Sequence, residues 1–452
     1  MKNKLILFFI LTACCSQKLL AQDKLGWWKD AKFGLFLHWG LYTATQMEWN
    51  SRPAKANEHL MWGEKIPLTT YKHIADDYNP ERFNAEQWVK DAKNAGMKYI
   101  VITAKHHEGY AMYASKVSSY NIVKTTPFAR DPMKELATAC KKYDMKLGFY
   151  YSLGWDWEDP DALAVNNYKN NNWDFPNDST KVFDRYFRRK VLPQVTELLS
   201  NYGPIAVIWF DIAGATTPAE SKELRALINK LQPGCIINSR VGNNDGDYQV
   251  LEQKIDTAIH LQPWESCITM SGKWGYSKYD HAWKSPELLV RNLIEIVCKG
   301  GNLLLNVGPT NTGEFPPESR ANLAAIGAWM KINGEAVYGT HPWHTASEQP
   351  VIRQDILPDM EGQADDDVSS KKIRPDLYFN AKDKTVYLFA RSWRKPQLSS
   401  TKLAGIKIKN ITCLGSPEKI HWSSSESLLT IDMPRQLPKC EVPVYVFRIA
   451  TK

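Results

Sequence analysis

Asp211 ends the run Ile205-Ala206-Val207-Ile208-Trp209-Phe210-Asp211, an apolar stretch that follows the turn pair Gly203-Pro204. Such a run reads as a buried strand that delivers one carboxylate to its own tip. A carboxylate is costly to bury without partners, so the position needs hydrogen bonds or a use for the charge. Attack on an anomeric carbon is such a use. A retaining glycosidase sets two carboxyl groups about 5 Å apart: one attacks, the other protonates the leaving oxygen and later activates water. Asp211 suits the attacking role, because a strand end holds its backbone rigidly. Two glutamates compete for the second role. Glu265 stands in Trp264-Glu265-Ser266-Cys267. Its apolar setting would raise its pKa into a useful range, or it is a hydrogen-bonded structural carboxylate. Glu252, in the polar segment Gly246 to Glu252, is either the acid or a solvated loop residue.

The elements that must position these groups alternate. Strands are expected at Phe33–Leu37 with His38 at the end, then at Tyr99–Ala104, Lys146–Ser152, Ile205–Asp211, Cys235–Arg240 and Asn302–Val307. Helical patterns lie between or after them, at Glu86–Gly96, Met133–Tyr143, Lys181–Tyr202, Pro218–Leu231, Pro286–Lys299 and Pro317–Lys331. Largely apolar strands alternating with helices imply a parallel sheet covered by helices. The fold class is therefore α/β: a (β/α)8-like barrel, with a doubly wound open sheet as the alternative. The barrel explains more. His38, His106, His107, Tyr151, Asp211 and Arg240 all fall at or just after strand ends, which in a barrel converge on one mouth. Adjacent His106 and His107 would face opposite ways on an extended segment, and no His-x-His or His-x-x-x-His accompanies them. They read as hydroxyl-binding or structural, and no metal is expected. Trp209 and Trp274 would pack on the apolar patch of a sugar or fill the core.

From about His341 the texture changes to short alternating runs, including Thr385–Ala390, Gly405–Ile408, Ser427–Asp432 and Val444–Ile449. These predict a C-terminal antiparallel β-sandwich, with the polar stretch Glu361 to Lys372 as a loop. Aromatics make up 12% of the 452 residues, including 17 Trp. A large core accounts for most of them, and sugar stacking is the sharper use. The net charge of +8 is dispersed, without the basic runs of a nucleic-acid site. The longest such run, Arg188-Arg189-Lys190, reads as a solvated helix face. Met1-Lys2-Asn3-Lys4 followed by apolar Leu5–Ala13 is an export signal too short to span a bilayer. Leu11-Thr12-Ala13-Cys14 has the form of a lipobox that would leave Cys14 lipid-anchored, while Leu19-Leu20-Ala21 offers ordinary cleavage. The expected organisation is a signal over 1–21, a barrel over 22–340 and a sandwich over 341–452, in an exported bacterial protein, periplasmic or membrane-anchored. Among the later cysteines, Cys413 and Cys440 are the only plausible disulfide neighbours.

Six motifs in order carry a resemblance: Phe33 to Gly40 with Glu48-Trp49, Lys105 to Tyr110, Trp209-Phe210-Asp211, Trp264 to Cys267, Trp274-Gly275-Tyr276, and Gly301 to Pro309. Together, from about Trp27 to Thr340, they resemble the α-L-fucosidases of glycoside hydrolase family 29. The resemblance implies a retaining exo-enzyme without cofactor, acting on fucosylated oligosaccharides or glycoconjugates. It makes Asp211 the nucleophile. It makes His38, Trp39, Glu48, Trp49, His106, His107, Tyr151, Trp209, Arg240 and Trp274 the cradle of fucose. Both Glu252 and Glu265 fit the family's variable acid/base, with spacing after Arg240 favouring Glu252. Glu108, Tyr110 and Asn50 depart from its commonest residues. The alternative function is a glycan-binding protein that kept the barrel and lost catalysis.

Overall fold

The computed structural model describes residues 24–162, 170–352, 373–391 and 396–452. The export signal with Cys14, and the polar stretch Glu361 to Lys372, lie outside the described residues.

Eight parallel strands form the first sheet: β1 (Phe33–Leu37), β2 (Tyr99–Lys105), β3 (Lys146–Ser152), β4 (Val207–Asp211), β5 (Ile236–Ile237), β6 (Gln249–Glu252), β7 (Trp264–Thr269) and β8 (Asn302–Val307). Neighbours in space are neighbours in sequence, with β1 paired to both β2 and β8. A single parallel bridge, Asn238–Tyr248, joins β5 to β6 and closes the ring. Seven of the eight strands were built as the barrel expectation requires, buried over nearly their whole length, as a sheet covered on both faces must be; β6 is the exception, only half-buried. Outside the ring run α1 (Ala85–Asn94), α2 (Pro132–Lys142), α3 (Leu192–Asn201), α4 (Pro218–Leu231), α5 (Pro286–Cys298) and α6 (Pro317–Asn333). Their starts are written in the sequence. Asn84, Asp131, Thr217 and Ser285 each cap a helix through a side-chain oxygen, with Pro next in three of the four.

Three expectations change. Strand β5 stops at Ile237, because the Asn238 side chain takes over its hydrogen bonds, exchanging two 2.9 Å bonds with the Phe210 backbone. Arg240 therefore lies in the 3-10 turn Ser239–Val241 that follows. Residues Gln249–Glu252 and Trp264–Thr269 are barrel strands, so Glu252 ends a strand instead of sitting in a loop. The helix leading into α3 is broken by a π turn at Phe187–Val191. Pro193 has no N–H for the carbonyl four residues earlier, so the chain widens there. The turn draws Lys190 inside, where it contacts Asp156 at 2.7 Å and Glu158 at 2.8 Å. Arg188-Arg189-Lys190 is thus no solvated face.

The C-terminal part is a sandwich. Strands β9 (His341–Ile352), β10 (Ile373–Lys382), β11 (Thr385–Arg391), β13 (Ile408–Cys413) and β16 (Val444–Thr451) form one antiparallel sheet, ordered β9-β10-β11-β16-β13. Strands β12 (Gln397–Ser400), β14 (Trp422–Ser424) and β15 (Leu429–Asp432) form the second. One face of the larger sheet joins the barrel's own core through Tyr378, Phe389 and Val446, and Trp329 Nε1 of α6 donates to the Val444 carbonyl at 2.9 Å. Cys413 and Cys440 are free thiols, as are the other four described cysteines.

Candidate active site

Asp211 is the last residue of β4 and reaches the barrel mouth at 9% exposure. Three donors hold its carboxylate. Tyr150 OH donates to Oδ2 at 2.8 Å, Arg240 Nη1 donates to Oδ1 at 2.6 Å, and the Ile212 amide donates to Oδ1 at 2.9 Å. His107 Nε2 lies 3.7 Å from Oδ2. Ile212 has a φ of 50°, rare for a β-branched residue, and this tight turn brings its amide back onto the carboxylate. The other terminal nitrogen of Arg240 donates to Glu252 Oε2, so one guanidinium spans both carboxylates. Burial works against the Arg240 charge, but Glu252 and then Asp211 hold its pKa well above the usual value. Burial, with the Asp211 charge adding, pushes the Tyr150 hydroxyl well up, so it stays a donor.

The pocket over this pair has a volume of about 640 Å³ and opens to solvent, a size for a small ligand. Its far wall is built of rings. His38 Nδ1 contacts Asn306 Oδ1 at 2.7 Å, and Asn306 Nδ2 donates to the Trp274 carbonyl at 2.7 Å. The amide orientation makes Oδ1 the acceptor, so Nδ1 carries the His38 proton and Nε2 is left as an acceptor. Burial, and secondarily His106, pull the His38 pKa well below its ordinary value, which keeps the ring neutral. Trp274 lies against His38 at 4.9 Å, and Trp209 against Phe36 at 4.9 Å. His106 and His107 both line the pocket, with ring centroids 4.1 Å apart. The expectation of opposite faces fails because both lie past the end of β2, in a turn.

Four expected residues lie elsewhere. Tyr151 points outward and donates to Gln194 at 2.9 Å; its neighbour Tyr150 takes the inward position. The two-residue period of a strand decides between them. Trp39 is fully buried against Phe83 and Trp88. Glu48 and Trp49 lie in a short hairpin with Arg52–Pro53, where Glu48 pairs with Lys278 at 2.6 Å and with Tyr279 OH. None of these four lines the pocket. Glu265 is at the opposite end of the barrel. It is the second residue of β7, fully buried, and accepts from Tyr99 OH at 2.6 Å and Trp209 Nε1 at 2.9 Å. Gly34 makes room there, since any side chain on it would strike the Tyr99 ring. The apolar setting read from Trp264 is real, and burial does raise the Glu265 pKa to about 7. The setting is a floor, with no route for substrate.

Sequence reasoning missed Tyr150, Glu58, His59, Trp155 and Cys267, which also line the pocket. Trp155 packs on His107 at 4.8 Å. Its loop is anchored by Asp156, fully buried between Lys105 and Lys190. The Asp-rich stretch Asp156 to Asp161 was the available signal. Among the described residues, no group of three or more His, Cys, Asp or Glu is arranged to hold a metal.

Residues 15–335 match the family model described as alpha-L-fucosidase. The chain belongs to that family, glycoside hydrolase family 29, and is an enzyme of the hydrolase class. Human plasma alpha-L-fucosidase is 28% identical over 93% of this chain and 88% of its own length. The solved alpha-L-fucosidase isoenzyme 1 from Paenibacillus thiaminolyticus superposes with a TM-score of 0.81 at 30% identity, covering 96% of this chain and 100% of that one. The alpha-L-fucosidase AlfC from Lactobacillus casei, solved with alpha-L-fucose product, gives 0.66 at 38% identity over 69% of this chain and 99% of its own.

Proposed function

We propose that the chain is a retaining exo-α-L-fucosidase, with Asp211 as nucleophile and Glu252 as acid/base, releasing terminal fucose from glycans. The observation that carries the reading is the single Arg240 guanidinium gripping both carboxylates at the barrel mouth. Two carboxyl groups sharing one guanidinium are close enough for a double displacement. In the first step Glu252 protonates the leaving oxygen while Asp211 attacks C1. Ester formation removes the Asp211 charge. Arg240 then faces Glu252 alone, which favours the carboxylate form that must take a proton from water. The family resemblance supports the substrate, as do titles of related structures such as AlfC with Fuca(1,6)GlcNAc. In the pocket, His38 Nε2 accepts a sugar hydroxyl, His106 and His107 hold others, and Trp274 and Phe36 receive the C6 methyl.

The test is hydrolysis of an aryl α-L-fucoside followed by NMR of the first-formed anomer. α-L-Fucose as first product supports the proposal; β-L-fucose, or no turnover by the wild type, overturns it. The N-terminal pattern supports a companion proposal of export with a lipid anchor at Cys14. Wild type in the membrane fraction and Cys14→Ala in the soluble fraction is the expected result, and equal partition of both would refute it.

A further inference from the structure

We propose that Glu108 is a positioning residue that holds His106 with its proton on Nδ1, so that Nε2 meets the sugar as an acceptor; this rests on the fucoside reading of the pocket. Glu108 lies three residues beyond β2, in a turn closed by the Gly109 amide on the His106 carbonyl at 3.1 Å. Gly109 has a φ of +77°, and a side chain there would strike Asp156, so the turn is locked. The carboxylate is fully buried, and neither oxygen has a protein hydrogen-bond partner. A buried carboxylate without a counter-charge is costly. The basic group facing it is His106 Nδ1, at 3.5 Å, which is itself buried and without a hydrogen bond.

The rest of the surroundings cannot serve. The hydroxyls of Tyr42, Tyr71, Tyr78 and Tyr120 are buried and unpartnered. Burial, with the Glu108 charge adding, keeps all four neutral. The His106 ring is held between near-parallel neighbours, Tyr150 at 5.4 Å and 21° and His59 at 6.0 Å and 24°. It is therefore not free to exchange its two nitrogens. With Nδ1 turned to Glu108, the remaining edge is the one that lines the pocket. A neutral imidazole has one N–H and one lone pair. A carboxylate beside Nδ1 draws the proton there and leaves the lone pair on Nε2. His38, fixed by Asn306, presents its Nε2 in the same way. Two acceptors side by side match a ligand with neighbouring hydroxyl donors.

The tautomer is read directly from two-bond 1H–15N spectra of the 15N-histidine-labelled protein, with His106→Ala identifying the signal. The expected state is Nδ1–H in the wild type, lost in Glu108→Met and partly kept in Glu108→Gln, whose carbonyl still accepts. An Nε2–H state in the wild type overturns the proposal, even if neither variant folds. In kinetics on an aryl α-L-fucoside, Glu108→Met should raise KM about tenfold with a smaller change in kcat. The same change in a His106→Ala background should add nothing; independent, additive losses would contradict the assignment. Should the wild type hydrolyse no fucoside, the functional reading fails, and the spectrum still decides the tautomer.

Discussion

The mouth and the floor of the barrel each hold a glutamate among aromatic rings, on adjacent strands. Glu252 ends β6, and Glu265 pairs with Val250, two residues nearer the start of that strand. Two residues of strand are about 7 Å. Over that distance the environment reverses. Glu252 is one-third exposed and pairs with a cation shared with Asp211. Glu265 is sealed, held by neutral donors from Tyr99 and Trp209. A pKa raised by burial marks a carboxyl group out of water; it marks an acid catalyst only where a substrate can reach it.

Removing the charge at the mouth should have the largest effect. Asp211→Ala is expected to lower kcat by about 10⁴-fold or more, since no second group in the pocket can form the ester; near-normal turnover would leave the barrel mouth without its assigned nucleophile. Glu252→Gln comes next, with a loss of about 10²–10³-fold on natural glycans and much less on aryl fucosides with good leaving groups. Glu265→Gln should keep activity near wild type on both, and a loss comparable with that of Glu252→Gln would erase the distinction between the two ends. One level down, Tyr150→Phe removes a donor to Asp211 and should cost about tenfold in kcat, while Tyr151→Phe should cost about 1 kcal/mol of stability and little activity.

The smallest effect belongs to the floor itself. Burial raises the Glu265 pKa from 4.5 to about 7. The folded state therefore holds this proton more tightly than the unfolded state. Its contribution to stability is full below about pH 4.5 and is lost as the pH rises through about 7. The loss is at most about 3 kcal/mol. The thermal midpoint of wild type should fall more between pH 5 and pH 8 than that of Glu265→Gln, which has no proton to lose. Equal slopes would mean that Glu265 is already ionised in the folded protein.

Much of this was legible from residue patterns. Apolar runs between helical patterns defined six of the eight barrel strands, and the position of Asp211 at a strand end was visible from Val207 to Asp211. The two missed strands, Gln249–Glu252 and Trp264–Thr269, are short and carry Glu, Gln, Ser and Thr, so the apolar signal was absent. That is why Glu252 read as a loop residue and Glu265 as a competitor. Tyr150 and Tyr151 are chemically identical in sequence, and only the phase of the strand separates them. Trp39 and Trp49 have the composition of sugar platforms, but burial against Phe83 and Trp88 for the first and a rim hairpin for the second are tertiary outcomes. Trp155 depends on a buried Lys–Asp–Lys contact that joins residues 105, 156 and 190, and no local pattern predicts it.

Azide rescue probes the assignment of the two glutamates most directly. On an activated aryl α-L-fucoside, Glu252→Ala with added azide should recover turnover and yield α-L-fucosyl azide, because azide replaces water at the ester on Asp211 without needing a base. Glu265→Ala should show no azide effect. Rescue of Glu265→Ala with none for Glu252→Ala would place the acid/base at the floor and contradict the account.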